Sequence, residues 1–365
     1  MRSQKLLDVN YFKTALLQFI GPSIALLLSF LVGGIFIVAI GRDPILVYEG
    51  FFSQTLGSAY GIGQVLFKAT PLIFTGLAVA LSFRAGLFNI GAEGQLTIGA
   101  FLTALVGFTF DSLPGILLIP FSLIAGIFGG ALWGAIPGIL KAKFGAHEVI
   151  NTIMLNFIAA ALVSYLVINV YAVPATIHTP QISTTSELPR LDFLSDSLRG
   201  SPANISLFLA LMVCIFCYYF LWKTRWGYEL RALGLSKSAS EYAGINIGKR
   251  TIMTLALSGG IAGLVGSNFV MGYKHYFELG FSEGVGYIGI AVALLAKNHP
   301  VGIILTSLFF GILEYGALTI GTLVPKELSN ILQAIVILFV LIISKLLNQW
   351  ILRIQTRISL ENAHA

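Results

Sequence analysis

From Leu113 to Leu140 the chain reads LPGILLIPFSLIAGIFGGALWGAIPGIL, 28 residues without a charge, followed by the basic Lys141 and Lys143. About 20 apolar residues let a helix cross a bilayer, so this stretch alone argues for a membrane protein. Similar uncharged or nearly uncharged runs extend over Phe19 to Ile40, Ile62 to Phe83, Gln95 to Phe110, Val149 to Val173, Asn204 to Trp222, Thr251 to Gly272, Gly284 to Ala296, Pro300 to Ile320 and Leu328 to Ser344. The expected fold is an all-α polytopic membrane protein of about ten transmembrane helices, a single domain over residues 1–365. Of the 365 residues 56% are apolar and 10% charged. A soluble domain carries roughly 25% charged residues, so a soluble enzyme and a disordered chain are both excluded. The composition also argues against an outer-membrane barrel, because its strands alternate apolar and polar residues.

The net charge of +6 is a matter of topology. With ten spans both termini lie on one side, and the connections on that side hold sixteen of the 22 Lys and Arg against five opposite, with Lys68 inside the second span. The positive-inside rule then puts both termini in the cytoplasm: residues 1–18, the loop 223–250 and the tail 345–365 inside, the loop 174–203 outside. Nucleic-acid binding is not needed to explain the charge. The first run is longer than a signal-peptide core and reads as an uncleaved span. Cys214 and Cys217 lie among apolar residues, which argues against a disulfide framework and against redox use.

The two shortest runs follow glycine-rich stretches, Gly86 to Gly94 and Gly280 to Gly289. With an offset of 190, Glu93, Gly94, Ile98, Gly99 and Leu105 match Glu283, Gly284, Ile288, Gly289 and Leu295. The two segments cross in opposite directions, so spans 2–5 and 7–10 are expected to be inverted copies. Short, glycine-interrupted segments at corresponding places in inverted halves point to a transporter's substrate path. Gly126, Gly130, Gly134 and Gly138, spaced by four, read with Gly259 and Gly263 as surfaces for close helix packing.

Ionisable groups at membrane depth are costly, which draws attention to Lys68, Glu93, Glu283 and Glu314. Lys68 and Glu314 fit an ion pair or a substrate contact; Glu93 and Glu283, at segment ends, fit helix capping or the path itself. Asn89, Gln95, Asn151, Asn156 and Asn268 suit hydrogen bonding to a neutral solute or to neighbouring helices. No span contains a His, so a proton or sodium relay is not expected and the energy source lies elsewhere. Gly244 to Thr251 mimics a phosphate loop but is one residue short between its glycines and has Arg250 where Ser or Thr must hold magnesium. No catalytic, metal or cofactor site is expected. In the 223–250 loop, Ser238 to Glu241 fits a capping box with Ser238 as N-cap, and Gly244 can close the short helix in a left-handed conformation.

Two motifs then stand out. Phe83-Arg84-Ala85-Gly86-Leu87-Phe88-Asn89-Ile90-Gly91-Ala92-Glu93-Gly94-Gln95 and His147-Glu148-Val149-Ile150-Asn151-Thr152-Ile153-Met154-Leu155-Asn156 resemble the permease subunits of bacterial ABC importers for ribose-like sugars and nucleosides. The first motif is similar to the nucleoside branch. Gly227 to Gly244 resembles the family's ATPase-coupling loop and Gly284 to Pro300 its late span, so that the likeness covers Gly61 to Ile343. Departures are Ala146, Ala296 and Lys297, where Asn, Gly and Arg are commoner.

The resemblance implies a multi-pass subunit of the bacterial cytoplasmic membrane. Its partners would be a cytoplasmic ABC ATPase, a second permease subunit, either a homologue or a copy, and an extracytoplasmic solute-binding lipoprotein facing 174–203. It also implies coupling through Ser238, Glu241, Tyr242, Ala243 and Gly244. Burial and symmetry nominate Asn89, Glu93, Gln95, Asn156, Asn268, Glu283 and Glu314 for the substrate path. The expected activity is inward movement of a nucleoside or related neutral solute by ATP-driven alternating access. The alternatives are a permease for ribose or another simple sugar, or a self-sufficient secondary carrier.

Overall fold

In hydrocarbon every backbone N–H and C=O must be satisfied within the protein, and apolar runs of this length answer that demand as helices. The computed structural model describes residues 27–28 and 30–321, together with 331, 334, 335, 338, 339, 342, 346 and 349. The first apolar run therefore lies partly, and the last one mostly, outside the described residues. The helices are α1 (Phe30–Ala39), α2 (Pro44–Thr55), α3 (Ala59–Arg84), α4 (Ala92–Thr109), α5 (Gly115–Phe144), α6 (Glu148–Leu166), α7 (Ser206–Lys223), α8 (Arg225–Leu235), α9 (Lys237–Tyr242), α10 (Ile247–Gly263), α11 (Val285–Leu295) and α12 (Pro300–Thr319). Among the described residues there is no strand, only two isolated bridges, His178 to Glu278 and Arg190 to Asn204.

Six helical stretches are long and apolar enough to cross a membrane: Ala59–Arg84, Gly115–Phe144, Glu148–Tyr171, Ser206–Lys223, Ile247–Lys274 and Pro300–Thr319. Two of them run past an α-helix into π-helical turns, at Val167–Tyr171 and Ser267–Lys274. The chain divides into two compact units, Thr55–Tyr315 and Met1–Gln54 with Gly316–Ala365. Within the second of these, α2 is a helix that the apolar runs did not anticipate, because Glu49 interrupts its sequence. Tyr48 Oη donates to the Phe30 carbonyl at 2.5 Å, and the two rings meet edge-on at 5.3 Å.

In the larger unit α3 is buried along nearly its whole length, started by the Ser58 hydroxyl on the Gly61 N–H. The dominant helix pair is α5 with α10, and glycine is the reason. A Cβ on Gly130 would stand 2.1 Å from the Gly259 carbonyl oxygen, and one on Gly263 would stand 2.1 Å from that of Gly126. Backbone lies on backbone there, which is the packing expected of small residues spaced by four.

The 174–203 loop is tied down rather than free. Thr179 and Ile182 donate backbone N–H bonds to Phe277 and His275, Ser183 to Gly107 and Leu188 to Met271. Ile182 and Leu188 are buried in an apolar cluster with Phe101, Met271 and Phe277.

Candidate functional site

The turn 85–91 between α3 and α4 is not helical, and Asn89 organises it. Its Oδ1 accepts the Gly91 N–H at 3.0 Å, while Asn89 and Gln95 exchange two side-chain amide bonds at 2.9 and 3.1 Å. Asn89 Nδ2 also donates to Ser258 Oγ of α10 at 2.7 Å, and Ser258 in turn donates to the Ala78 carbonyl of α3 at 2.6 Å. Four segments are thereby joined around two fully buried amides.

A helix N-terminus leaves unpaired N–H groups and a partial positive charge. Here two such ends meet. Asn156 of α6 accepts the Gly94 N–H of α4 at 2.8 Å and donates to the Ile90 carbonyl at 2.9 Å and to Tyr287 Oη at 3.1 Å. Glu93, in the first turn of α4, reaches the start of α11: its Oε2 accepts the Gly286 N–H at 2.8 Å and its Oε1 the Ser282 hydroxyl. A Cβ on Gly286 would lie 2.5 Å from the Glu93 nitrogen, so α4 and α11 abut at their N-terminal ends. Such a carboxylate is worth about 0.3–1 kcal/mol at an exposed helix start and up to about 2 kcal/mol when partly buried. Tyr287 and Phe88 leave this junction 44% and 55% exposed, the accessible aromatic surface beside it.

The other nominated residues lie elsewhere. Asn268, in the π-helical turn after α10, accepts from Asn204 Nδ2 at 3.1 Å and Ser206 Oγ at 3.0 Å and donates to the Phe67 carbonyl at 3.2 Å. Lys68 of α3 forms an ion pair with Glu314 of α12 at 2.8 Å and stands 3.7 Å from Glu283. Glu314 Oε2 is buried without a hydrogen-bond partner. Glu283 has a left-handed backbone, φ 47°, and a side chain 61% exposed. Glu93 and Glu283, paired by the 190-residue offset, thus have unlike surroundings. Ser258, Ser282, Tyr287 and Ser206 complete these networks and were not singled out from sequence. Serine is ordinary in membrane helices, and only tertiary contact distinguishes these.

The 223–250 segment folds as α8 and α9. Thr224 caps α8 through its hydroxyl on the Gly227 N–H. The cap of α9 is Ser236, whose hydroxyl accepts the Ala239 N–H at 3.3 Å, and not Ser238. The helix begins two residues early because Ser236 is extended and Lys237 already helical, which leaves Ser238 and Glu241 exposed. Gly244 does close α9 in the left-handed region, φ 79°, with the Gly244 and Ile245 N–H groups returning to Glu241 and Ser240. Tyr242 is 98% exposed. Beside α9 runs a groove of about 540 Å³ lined by Tyr228, Ala232, Leu235, Ala239, Ala243 and Ile245.

The end of α8 touches the turn that carries Asn89. A Cβ on Gly234 would stand 2.2 Å from the Arg84 carbonyl oxygen, and one on Gly86 would stand 3.2 Å from the Gly234 Cα. At these two glycines α8 and the lead into α4 thus meet backbone against backbone.

Comparison with known proteins agrees with this architecture. Residues 61–341 match the family described as branched-chain amino acid transport system / permease component. The guanosine ABC transporter permease protein NupP of Bacillus subtilis is 39% identical over 325 residues, 87% of this chain and 92% of that one. The nucleoside ABC transporter permease protein NupB of Lactococcus lactis subsp. cremoris is 36% identical over 326 residues, 87% of this chain and 89% of that one. The glucose ABC transporter permease protein TsgB13 of Haloferax volcanii is 35% identical over 329 residues, 88% and 86% of the two chains. No solved structure matches. A multi-pass helical membrane chain matched over residues 61–341 by that family model belongs to this family of transport permeases.

Proposed function

We propose that this chain is a transmembrane subunit of an ATP-driven importer for a nucleoside or related neutral solute. Likeness to the relatives named for guanosine and nucleosides, at 39% and 36% identity over 87% of the chain, carries the cargo. The glucose-named relative, at 35%, favours a simple sugar as the second reading. The chain has the place of a permease, and ATP hydrolysis falls to a separate ATPase; a second permease and a solute-binding lipoprotein complete the assembly.

In this reading the membrane is crossed about ten times, with the termini, α8 and α9 in the cytoplasm, as the sixteen-to-five division of basic residues suggests. Spans 2–5 and 7–10 act as inverted halves, and their short helices α4 and α11 abut at the substrate path. Glu93, Asn156 and Tyr287 border that path, and Glu283 with the Lys68–Glu314 pair lies on its outer side. Asn89, Gln95 and Asn268, whose polar atoms are engaged within the protein, hold the walls. The ATPase takes Tyr242 and the groove beside α9, with Ser238, Glu241, Ala243 and Gly244 at the contact. When the ATPase moves α9, Gly234 transmits the displacement to Arg84 and Gly86, and α4 shifts against α11. The lipoprotein docks outside on the exposed part of 174–203, where Phe193 and Leu194 are uncovered.

The test is uptake of labelled guanosine, uridine, ribose and glucose by cells lacking this gene and by cells in which it is restored. Loss of nucleoside uptake alone, restored by the gene but not by Tyr242→Asp at equal membrane level, is the expected result. Loss of sugar uptake alone transfers the cargo to the second reading. Normal uptake by Tyr242→Asp removes α9 from the coupling role.

A further inference from the structure

The ends of α3, α7 and α8 and the turn between α11 and α12 gather cationic and aromatic side chains; the transport mechanism above uses only the backbone of Arg84 and none of these side chains. The Arg84 guanidinium lies 5.3 Å from the Trp222 ring centroid and that of Arg231 5.9 Å. Tyr218 stacks on Trp222 at 5.3 Å, and His299 lies 5.2 Å from the same ring. Arg84 is partly engaged, donating to the Asn298 and Lys297 carbonyls at 3.0 and 3.1 Å. Arg231 differs, because its Nε is buried without a hydrogen-bond partner.

Among the described residues no carboxylate stands within 4 Å of either arginine; Glu229, the one acid of α8, is taken by Arg225 and Arg250. The two guanidiniums repel one another, and burial followed by the Arg84 charge holds His299 below the ordinary imidazole range. Like charges gathered at desolvated N–H groups, with no acid to balance them, suit an external anion. Guanidinium geometry favours the paired oxygens of a phosphate.

The surroundings choose between a soluble phosphate and a lipid. Along α7, Phe208, Met212, Ile215, Phe216 and Tyr219 are 42–68% exposed and recur at helical spacing, an apolar strip that ends at the cluster. Trp and Tyr gather at the membrane boundary, and basic pockets between spans hold anionic headgroups there. We propose that Arg84, Arg231 and Trp222 bind the phosphodiester of an anionic phospholipid, with its acyl chains laid along α7. Its assignment to the inner leaflet rests on the orientation proposed above. Binding does not depend on the cargo, so this proposal can fail without the transport reading failing, and the reverse. A headgroup held by both arginines ties α8 to α3, the same elements joined by Gly234.

The experiment uses the full chain, purified and reconstituted in nanodiscs of phosphatidylcholine with a minor share of brominated phosphatidylglycerol. Retention of each lipid is read by native mass spectrometry and proximity by quenching of Trp222, with Trp222→Phe as the fluorescence blank. Phosphatidylglycerol is expected to be retained over phosphatidylcholine, and Arg231→Gln to lower that preference about fivefold, the factor for about 1 kcal/mol per basic residue at an anionic surface. Arg231→Lys, which keeps charge but not the fork, should restore part of it and serves if the Gln variant does not fold. Equal retention of the two lipids, or a preference unchanged in both variants, overturns the proposal. Displacement of the lipid by millimolar inorganic phosphate overturns it in favour of a soluble anion. Loss of co-purifying ATPase from Arg231→Gln with lipid preference intact overturns it in favour of a protein contact.

Discussion

The α5–α10 seam and the α4–α11 junction are both tight helix contacts, built on opposite principles. At the seam glycine brings backbone to backbone, with Cβ positions 2.1 Å from the facing carbonyl oxygens. At the junction two helix ends meet through Glu93, Ser282, Asn156 and Tyr287. An interhelical hydrogen bond in a membrane contributes only about 0.6 kcal/mol on average, so the seam supplies cohesion and the junction supplies alignment. The junction adds one close backbone approach, Gly286 against the Glu93 nitrogen, to its few polar links, whereas the seam is interlocked from Gly126 to Gly138. In the proposed transport cycle the junction is the part that moves.

The seam should break first under substitution. Gly130→Leu forces α5 and α10 apart and is expected to abolish folded protein, read as loss of the monodisperse peak in detergent chromatography. Gly145→Ala, at a left-handed helix end with open space around it, should cost only about 1 kcal/mol.

The Lys68–Glu314 pair ranks next. Lys68→Met leaves Glu314 buried and unpaired and should cost about 3–5 kcal/mol, whereas Lys68→Met with Glu314→Met should recover most of it. Thermal unfolding of the three proteins measures the difference, and equal losses in single and double variants would show that the pair is not the source.

At the junction the expected signature is lost transport without lost protein. Glu93→Ala leaves the Ser282 hydroxyl and Gly286 N–H without their acceptor, for about 1–3 kcal/mol, enough for a roughly fivefold or greater fall in uptake. Glu93→Gln, which retains an acceptor, should fall between. Gly234→Val should uncouple: ATP hydrolysis by the assembled transporter persists while uptake drops severalfold. Asn151→Ala is expected to be the mildest, within about 0.5 kcal/mol, since the Asn151 Nδ2 has no partner to lose.

The apolar runs were legible because a bilayer demands one simple thing of a sequence, length without charge. The glycine seam was legible for a related reason: a spacing of four leaves few uses on a membrane helix. The Asn89 and Asn156 clusters were half legible. Their residue types mark hydrogen bonding, but whether the partner is solute or helix depends on atoms 62 to 169 positions away. The α9 cap was misassigned because three serines, Ser236, Ser238 and Ser240, can each cap a helix, and only backbone conformation selects Ser236. The 190-residue offset related Glu93 to Glu283 by sequence, yet Glu93 lies in the first turn of α4 and Glu283 in the turn before α11, beside Lys68.

By itself the sequence determined that this protein is a helical membrane protein with glycine-faced helices, because hydrophobicity and small-residue spacing act locally along a single helix. The tertiary structure alone decided that two helix N-termini confront each other through one carboxylate. It also decided that α8 bears on the turn before α4 and that two arginines share one tryptophan. Those contacts join segments far apart in the chain, and no local pattern records which distant surfaces will meet.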